Sequence, residues 1–194
     1  MLYKGDYYLS DGTRKKTREY TLYQNMKSRC SDKYKQGRLT YADCTVSDKF
    51  KDFQYFANWC NRQIGFLLKD SDGRFFQLDK DILYKGNKLY SEDTCVFVPK
   101  DINVFFAKAD SIRGSLPIGV RHKNSTINPY GAEVTNPFLG GLEYLGLFPT
   151  KETAFEAYKQ RKHEIAVMLA NKHRQVLRDD VYNILMNYYP DIND

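Results

Sequence analysis

Two carboxylates, Asp79 and Asp81, flank Lys80 near the end of a predicted β-strand. A helix predicted to open after Pro99 faces this strand and carries Asn103. Carboxylate and amide oxygens are the ligands that a hard divalent ion such as Mg²⁺ prefers, so these residues form a candidate metal site. On a continuing strand the two carboxylates would share one face and Lys80 would point away. A charged, solvated hairpin edge is the alternative, and composition alone favours it.

The elements around this candidate site form a strand, turn, strand, helix unit. Alternating apolar and polar residues predict a strand over residues 74–84, RFFQLDKDILY. A glycine turn at 85–87 then returns the chain to a second strand that ends in CVFV, ahead of Pro99. The predicted hairpin and helix together span residues 76–103.

Two helices are predicted upstream of this unit. In the segment TLYQNMKSRC the apolar residues recur at helical spacing, at Leu22, Tyr23, Met26 and Cys30. A second helix is expected from a cap at Ser47 or Asp48, with Phe50, Phe53, Phe56, Ala57 and Cys60 along one face. Its continuous aromatic stripe favours a core role over base stacking.

The C-terminal part predicts a small sheet followed by helices. After a linker at 113–117, three strand-like pieces, PIGVRHKN, NPYGAEVT and LEYLGLF, are separated by turn residues. Thr150 is the predicted cap of a long helix. Its apolar face comprises Ala154, Phe155, Ala157, Tyr158, Ile165, Met168 and Leu169. A final helix is predicted in DDVYNILMNYY, packed by Val181, Leu185 and Tyr189.

Basic residues are concentrated at the N-terminus. The net charge is +6 and the isoelectric point is near 9.0, a balance that suggests a polyanionic partner. Residues 1–40 contain ten Lys or Arg and four Asp or Glu, whereas the remainder contains twenty of each. Arg14, Lys15 and Lys16 therefore lie in a predicted basic arm, for which phosphate contact and a solvated tail remain equal alternatives.

Other classes of protein are disfavoured by what the sequence lacks. It contains no run of about 18 apolar residues, and its N-terminus is unlike a secretory signal, so we expect a cytoplasmic protein without a membrane partner. The cysteines are expected to be thiols, since their spacing has no paired pattern of the kind that structural zinc uses. They are Cys30, Cys44, Cys60 and Cys95.

Several of these segments resemble phage-encoded HNH homing endonucleases that carry an AP2-like DNA-binding domain. The HNH-like segments are NMKSRC at 25–30, YADCTVSDKFKDFQYF at 41–56, QLDKDILYKGNKLYSEDTCVFVP at 77–99 and DIN at 101–103. The AP2-like segments are GVR at 119–121, YGAEV at 130–134 and LGLFPTKETAFEAY at 145–158. The resemblance covers most of residues 20–175, in the family's order.

The resemblance implies roles for the candidate metal site. Asp79 falls at the first metal ligand and Asn103 at the last, with Mg²⁺ or Mn²⁺ as the implied cofactor. Lys80 stands where the family has its general-base histidine, and Thr94 stands roughly at its middle asparagine. A lysine is a poor base at neutral pH unless burial strongly lowers its pKa, so Asp81 is the candidate that activates water. All three histidines, His122, His163 and His173, lie in the C-terminal part.

For the AP2-like part, the resemblance implies a three-stranded sheet in the DNA major groove with a helix bracing it from behind. The side chains expected to contact DNA are Arg121, Lys123, Asn124 and Tyr144, with Arg or Lys reading guanine and Asn reading adenine or a phosphate. A second basic cluster, at 159 and 161–163, is interpreted as a solvated helix face. It comprises Lys159, Arg161, Lys162 and His163.

Together these observations predict an α+β protein. It comprises a basic N-terminal arm (1–20), an HNH-like ββα-metal nuclease domain (21–112), an AP2-like three-stranded sheet with a bracing helix (117–175) and a C-terminal helical tail (176–194). The expected function is metal-dependent cutting or nicking of double-stranded DNA, in the host cytoplasm if the protein is phage-encoded. The alternative is a catalytically inactive DNA-binding or phage accessory protein, which could act on a host protein.

Overall fold

A computed structural model of the 194-residue chain describes residues 4–8, 14–35, 41, 43–107 and 116–193, and for 6–8 and 35 it describes the backbone alone. The predicted linker at 113–117 lies largely outside these ranges. The fold is mixed α+β, as expected. Its contacts divide the chain into two compact units, Met1–Lys100 and Asp101–Asp194.

The first unit begins with a hairpin in the predicted basic arm. Strand β1 (Asp6–Tyr8) pairs antiparallel with β2 (Arg14–Lys16), whose three side chains are exposed. Helix α1 (Arg18–Arg29) follows directly, and the side chain of its N-cap, Thr17, accepts a hydrogen bond from the backbone N–H of Tyr20. A short helix α2 (Asp32–Lys35) comes next.

The predicted aromatic helix is two helices, α3 (Asp48–Lys51) and α4 (Phe53–Arg62), so the single-helix prediction was wrong. Asp52 lies between them with extended backbone angles, and its carboxylate accepts hydrogen bonds from the backbone N–H groups of Gln54 and Tyr55. A short carboxylate that binds nearby N–H groups competes with the helix and favours a new N-terminus. Ser47, one of the two predicted caps, caps α3.

The aromatic stripe forms the core of this unit, as expected. Phe50 and Phe56 are fully buried, and their ring centroids lie 5.0 Å apart in an edge-to-face arrangement. Trp59 lies 4.9 Å from Phe50 and 5.9 Å from Phe97, which links α4 to a buried strand. Such aromatic pairs add to the stabilisation that comes from burial of their area.

Four short strands, in two pairs, complete the described part of the unit. β3 (Thr45–Val46) pairs in parallel with β5 (Leu89–Tyr90), and β4 (Gln77–Asp79) pairs antiparallel with β6 (Val96–Val98). The expected strand over 74–84 was therefore too long, because it ends at Asp79. The turn near Gly86 is present, with φ +79° at that glycine.

Helix α5 (Lys100–Phe106) begins directly after Pro99, as predicted. β4, β6 and α5 follow one another in the predicted order, but the predicted second strand is two short strands, β5 and β6, which pair with different partners, so the single-strand prediction was wrong. All of α5 except its first residue belongs to the second unit, so Asn103 and Asp79 fall in different units.

The second unit contains the three predicted strands in one antiparallel sheet. β7 (Val120–His122) pairs with β8 (Tyr130–Asn136), which pairs with β9 (Gly141–Phe148). A β-bulge interrupts the β8–β9 pairing: Ala132 faces Gly146 and Glu133 faces Tyr144, which leaves Leu145 as an extra residue.

A long helix, α6 (Lys151–His173), packs on one face of this sheet, which we call the inner face. Thr150 caps it as predicted, in a reciprocal arrangement with Thr153. The buried residues of the inner face are Val120, Ala132 and Val134, and those of α6 include Ala154, Phe155, Tyr158, Ile165 and Leu169. Met168, predicted to be apolar core, is 41% exposed because it falls outside the buried stripe.

The second basic cluster is not a solvated face, which corrects the prediction. Arg161 Nε lies 3.0 Å from Glu143 of β9, and Lys162 is buried, with its ammonium donating to the backbone oxygen of Phe105 at 2.7 Å. Burial lowers the pKa of Lys162 to about 8. The ring of His163 stacks on Tyr189 at 4.0 Å. These contacts attach α6 to its neighbours.

The predicted C-terminal helix, α7 (Asp179–Met186), packs on α6 through the buried Val181 and Leu185. At the far end of α6, Asp101 of α5 accepts a hydrogen bond from Lys172 at 2.8 Å and lies 2.9 Å from Nε2 of His173. Burial alone would raise the pKa of Asp101, but hydrogen bonds from His173 and Lys172 outweigh it and lower the pKa to about 2.

Gly119 sits where the loop before β7 crosses α6, and we predict that Gly119→Ala is strongly destabilising. Its φ is +78°, and an added Cβ would lie 2.0 Å from ring atom Cδ2 of Tyr158. Strain and overpacking together should lower the free energy of unfolding by about 2–4 kcal/mol, measured by chemical denaturation. Gly140→Ala is the matched control, since φ is +71° with no atom within 4 Å, and should cost about 1 kcal/mol. Equal losses would contradict the packing argument.

Candidate functional site

The face of the sheet opposite α6, which we call the outer face, gathers three of the residues predicted to contact DNA. Arg121 of β7 and Tyr144 of β9 point to this face, and the side chain of Lys123 extends over it from the loop after β7. Arg121 is exposed and Tyr144 is 56% exposed. The fold therefore brings Arg121, Lys123 and Tyr144 together in one place.

Glu133, at the centre of the outer face, binds both cations. Its Oε2 lies 3.0 Å from Nε of Arg121, and its Oε1 accepts a hydrogen bond from the ammonium of Lys123 at 2.7 Å. The carboxylate side chain is 11% exposed, whereas the side chain of Arg121 is 62% exposed. The carboxylate thus holds the two cations in defined positions. Together the three side chains, Arg121, Lys123 and Glu133, form a trio with a net charge of +1.

Gly131 explains how Lys123 reaches this position. A Cβ at Gly131 would lie 2.8 Å from Cε of Lys123, so the methylene chain of the lysine occupies the space that a side chain would fill. The ammonium then lies 5.9 Å from the ring centre of Tyr144 and beside Glu133. The glycine in YGAEV is therefore needed for the arrangement of the cations.

Two residues of β9 that the sequence analysis did not select, Leu142 and Leu147, also face outward, and the bulge is responsible for Leu147. Leu142 faces Thr135, Tyr144 faces Glu133 and, after the bulge, Leu147 faces Gly131. Without the extra residue, strict alternation would have directed Gly146 outward instead of Leu147. Gly146 has φ +125°, and a glycine inside the strand-like LEYLGLF is the sequence signal for such a bulge.

The remaining residues predicted to contact DNA lie in two places. Asn124 is exposed in the loop that follows β7. Arg14, Lys15 and Lys16 are exposed on β2, which belongs to the first unit.

The candidate metal site starts where β4 ends. One carboxylate oxygen of Asp79, Oδ1, accepts hydrogen bonds from the backbone N–H groups of Asp81 at 2.8 Å and Ile82 at 2.9 Å. These bonds turn the chain away from the sheet, which is why the strand stops and Asp81 does not share a strand face with Asp79. Burial, and then the nearby charge of Asp81, raise the pKa of Asp79 to about 6.

Lys80 is buried, with 6% of its surface exposed, whereas the strand pattern had it pointing outward. Its ammonium donates to the backbone oxygen of Asn87 at 3.0 Å and lies 3.4 Å from Oδ2 of Asp81. The amide of Asn87 donates in return to the backbone oxygens of Lys80 and Leu89. Lys80 therefore braces the loop between β4 and β5, and Thr94 closes it further by donating to Leu89.

The donor set suits a divalent ion only in part. Within the described ranges, no group of three or more His, Cys, Asp or Glu side chains is arranged to hold a metal ion. Asp79 and Asp81 are a hard, anionic pair, and Mg²⁺ is often held by one or two carboxylates together with waters and substrate phosphates. The four cysteines are free thiols, and burial raises the pKa of Cys60 and Cys95.

Comparisons of the chain with protein-family models, curated proteins and solved structures found no match. Along the part of the chain that the structure describes, no helix has the length and apolar character needed to cross a membrane. The assignment of a function therefore depends on the two sites themselves.

The raised pKa of Asp79 leads to a pH-dependent prediction. This carboxyl ionises less readily in the folded protein than in the unfolded chain. Its contribution to the free energy of unfolding should therefore fall as the pH rises from about 4 to about 6. Asp79→Asn keeps an oxygen for the two N–H groups but cannot ionise. Relative to wild type, the variant should gain about 1–3 kcal/mol of unfolding free energy between pH 4 and 7, measured by denaturation at several pH values.

Asp93→Asn, at an exposed position, is the control for this measurement and should show a flat difference from wild type. A flat difference for Asp79→Asn as well would mean that Asp79 is not desolvated in the folded protein.

Proposed function

We propose that the protein binds double-stranded DNA through the outer face of the β7–β9 sheet. The observation that carries this proposal is the convergence of Arg121 and Lys123 on Glu133, beside the exposed ring of Tyr144. A guanidinium held in one position can present two donors to the O6 and N7 acceptors of guanine. The AP2-like segments, which supply Arg121 and Glu133, agree with this use of the sheet.

Fixed cations suit sequence recognition better than mobile ones do. Binding to DNA orders side chains, and the associated loss of entropy is smaller where a contact already restrains them. Glu133 also neutralises one of the two charges, which reduces attraction to phosphates of any sequence and gives base contacts a larger share in the choice of sequence. The outer face is therefore suited to sequence-specific binding.

The first test compares Arg121→Gln with Lys159→Gln on a duplex that full-length wild type selects from random sequences. Lys159 lies on α6, across the sheet from the outer face, and pairs with Glu156 at 3.7 Å. Arg121→Gln should weaken binding about 10- to 100-fold, and Lys159→Gln should change it less than about threefold. Wild-type affinity should fall steeply between about 50 and 200 mM salt.

Two results would count against the proposal. Equal losses for the two variants would mean that charge alone drives binding. Absence of DNA binding at low salt would favour the alternative, a host-protein partner, whose apolar interface would be far less sensitive to salt.

A second candidate function is metal-dependent cutting or nicking of the bound DNA, with Mg²⁺ or Mn²⁺. The observation that favours it is the close approach of Asp79 and Asp81, since two neighbouring carboxylates repel each other and a divalent ion would relieve that repulsion. Asp79 would hold the ion, and Asp81 would accept a proton from the attacking water. A bound ion would stabilise the negative charge that develops on the leaving oxygen.

Cleavage of phage and host genomic DNA in the presence of Mg²⁺ or Mn²⁺ tests this candidate. Asp79→Asn should reduce cutting by at least about 100-fold, while Asp93→Asn should cut like wild type. Undiminished cutting by Asp79→Asn would remove Asp79 from the site. Binding by wild type without cutting would leave a catalytically inactive DNA-binding protein on the same scaffold.

A further inference from the structure

We infer that the outer face reads the C5-methyl groups of pyrimidines in the DNA major groove, through an apolar stripe along β9. This inference rests on the proposed binding of DNA. The stripe comprises Leu142, Tyr144 and Leu147, which are 60%, 56% and 42% exposed.

Strand alternation places the first two residues of the stripe on one face, and the bulge adds the third. Leu142 and Tyr144 are two residues apart and share a face, and the extra residue Leu145 brings Leu147 onto that same face. Thr135, directly opposite Leu142, adds a further methyl group. The chain therefore presents a row of apolar groups to solvent, beside the cations that we assign to DNA binding.

The apolar row points to a particular feature of DNA. The major-groove edges of the bases carry donors and acceptors, and the thymine methyl is their one apolar group. A 5-methylcytosine presents the same group at the same position. Leucine side chains offer no hydrogen bonds, so a methyl group is the base feature that they can bind favourably.

The spacing of the stripe agrees with the spacing of base pairs. Residues i and i+2 of a strand are about 6.8 Å apart, and two base-pair steps rise by about 6.8 Å. A strand that lies along the groove would thus place Leu142 and Tyr144 against base pairs two steps apart. The stripe can contact successive methyl groups without distortion of the sheet.

The charges next to the stripe favour DNA as its occupant over an apolar protein surface. Arg121 and Lys123 both lie on the outer face with the stripe, and the ammonium of Lys123 is 5.9 Å from the ring centre of Tyr144. An apolar partner would have to desolvate these cations, whereas DNA offers acceptors to the cations and methyl groups to the leucines.

The experiment uses the full-length protein and the duplex selected by wild type, in which each thymine of the protected region is replaced in turn by deoxyuridine. This change removes one methyl group and leaves every hydrogen-bonding group in place. We expect wild type to bind about fourfold more weakly for each contacted methyl group that is lost. Where a C·G pair replaces the T·A pair, we expect wild type to bind the duplex with 5-methylcytosine more tightly than the duplex with cytosine.

Leu142→Ala and Leu147→Ala should bind thymine and uracil duplexes with nearly equal affinity at the positions that each leucine contacts. Leu139→Ala is the control, because Leu139 is 68% exposed but lies in the turn between β8 and β9 and not in the stripe. It should retain the wild-type preference for thymine. All three side chains are exposed, so circular dichroism should show unchanged folding.

The outcomes separate the two proposals. Equal binding of thymine and uracil duplexes by wild type, with Arg121→Gln still impaired, would overturn methyl recognition and leave DNA binding in place. A thymine preference that survives in both stripe variants would also overturn it, since the preference would then arise elsewhere. Absence of any DNA binding by wild type would overturn the proposed function and this inference together.

Discussion

The packing of α6 against the inner face of the sheet decides which side chains the sheet presents to solvent. Val120, Ala132 and Val134 are buried under the helix, and strand alternation then directs Arg121 and Glu133 to the other side. Gly119 permits the close approach that this packing requires, because any side chain there would overlap the ring of Tyr158. The candidate DNA-binding surface is thus a consequence of how the opposite face is buried.

The sequence predicted most of the second unit, since its signals are local. Strand alternation, turn residues and the cap at Thr150 each act over a few residues, and all three agree with the structure. The residues of the outer face were harder to predict from the sequence. A bulge changes which residues face outward beyond it, so Leu147 could be placed only by treating Gly146 as a break in the strand pattern. Glu133 could be recognised as the partner of two cations only once the pairing of β7 and β8 was known.

The first unit shows where local patterns fail. Asp52 and Asp79 both stand in segments whose apolar periodicity continues past them, and both interrupt the regular element by accepting backbone N–H bonds. Apolar periodicity reflects which residues are buried, and it does not show where a side chain competes with the regular backbone hydrogen bonds. One helix and one strand were therefore predicted too long. Lys80 is a further case. Lysine is mostly exposed in proteins, but here its ammonium donates a hydrogen bond to the backbone oxygen of Asn87, and that contact permits burial.

The two candidate sites differ in charge, and this difference bears on how they could work together. The outer face carries a net positive trio that attracts phosphate, whereas Asp79 and Asp81 would repel a phosphate that approached them. Lys80 offsets part of that negative charge, but its ammonium is buried and already bound to Asn87. A phosphate could therefore approach the carboxylate pair only together with a cation, or with Asp79 protonated. For this reason the proposed binding and the proposed cutting need not occur together, because any chemistry at Asp79 requires positive charge from a source other than these three side chains.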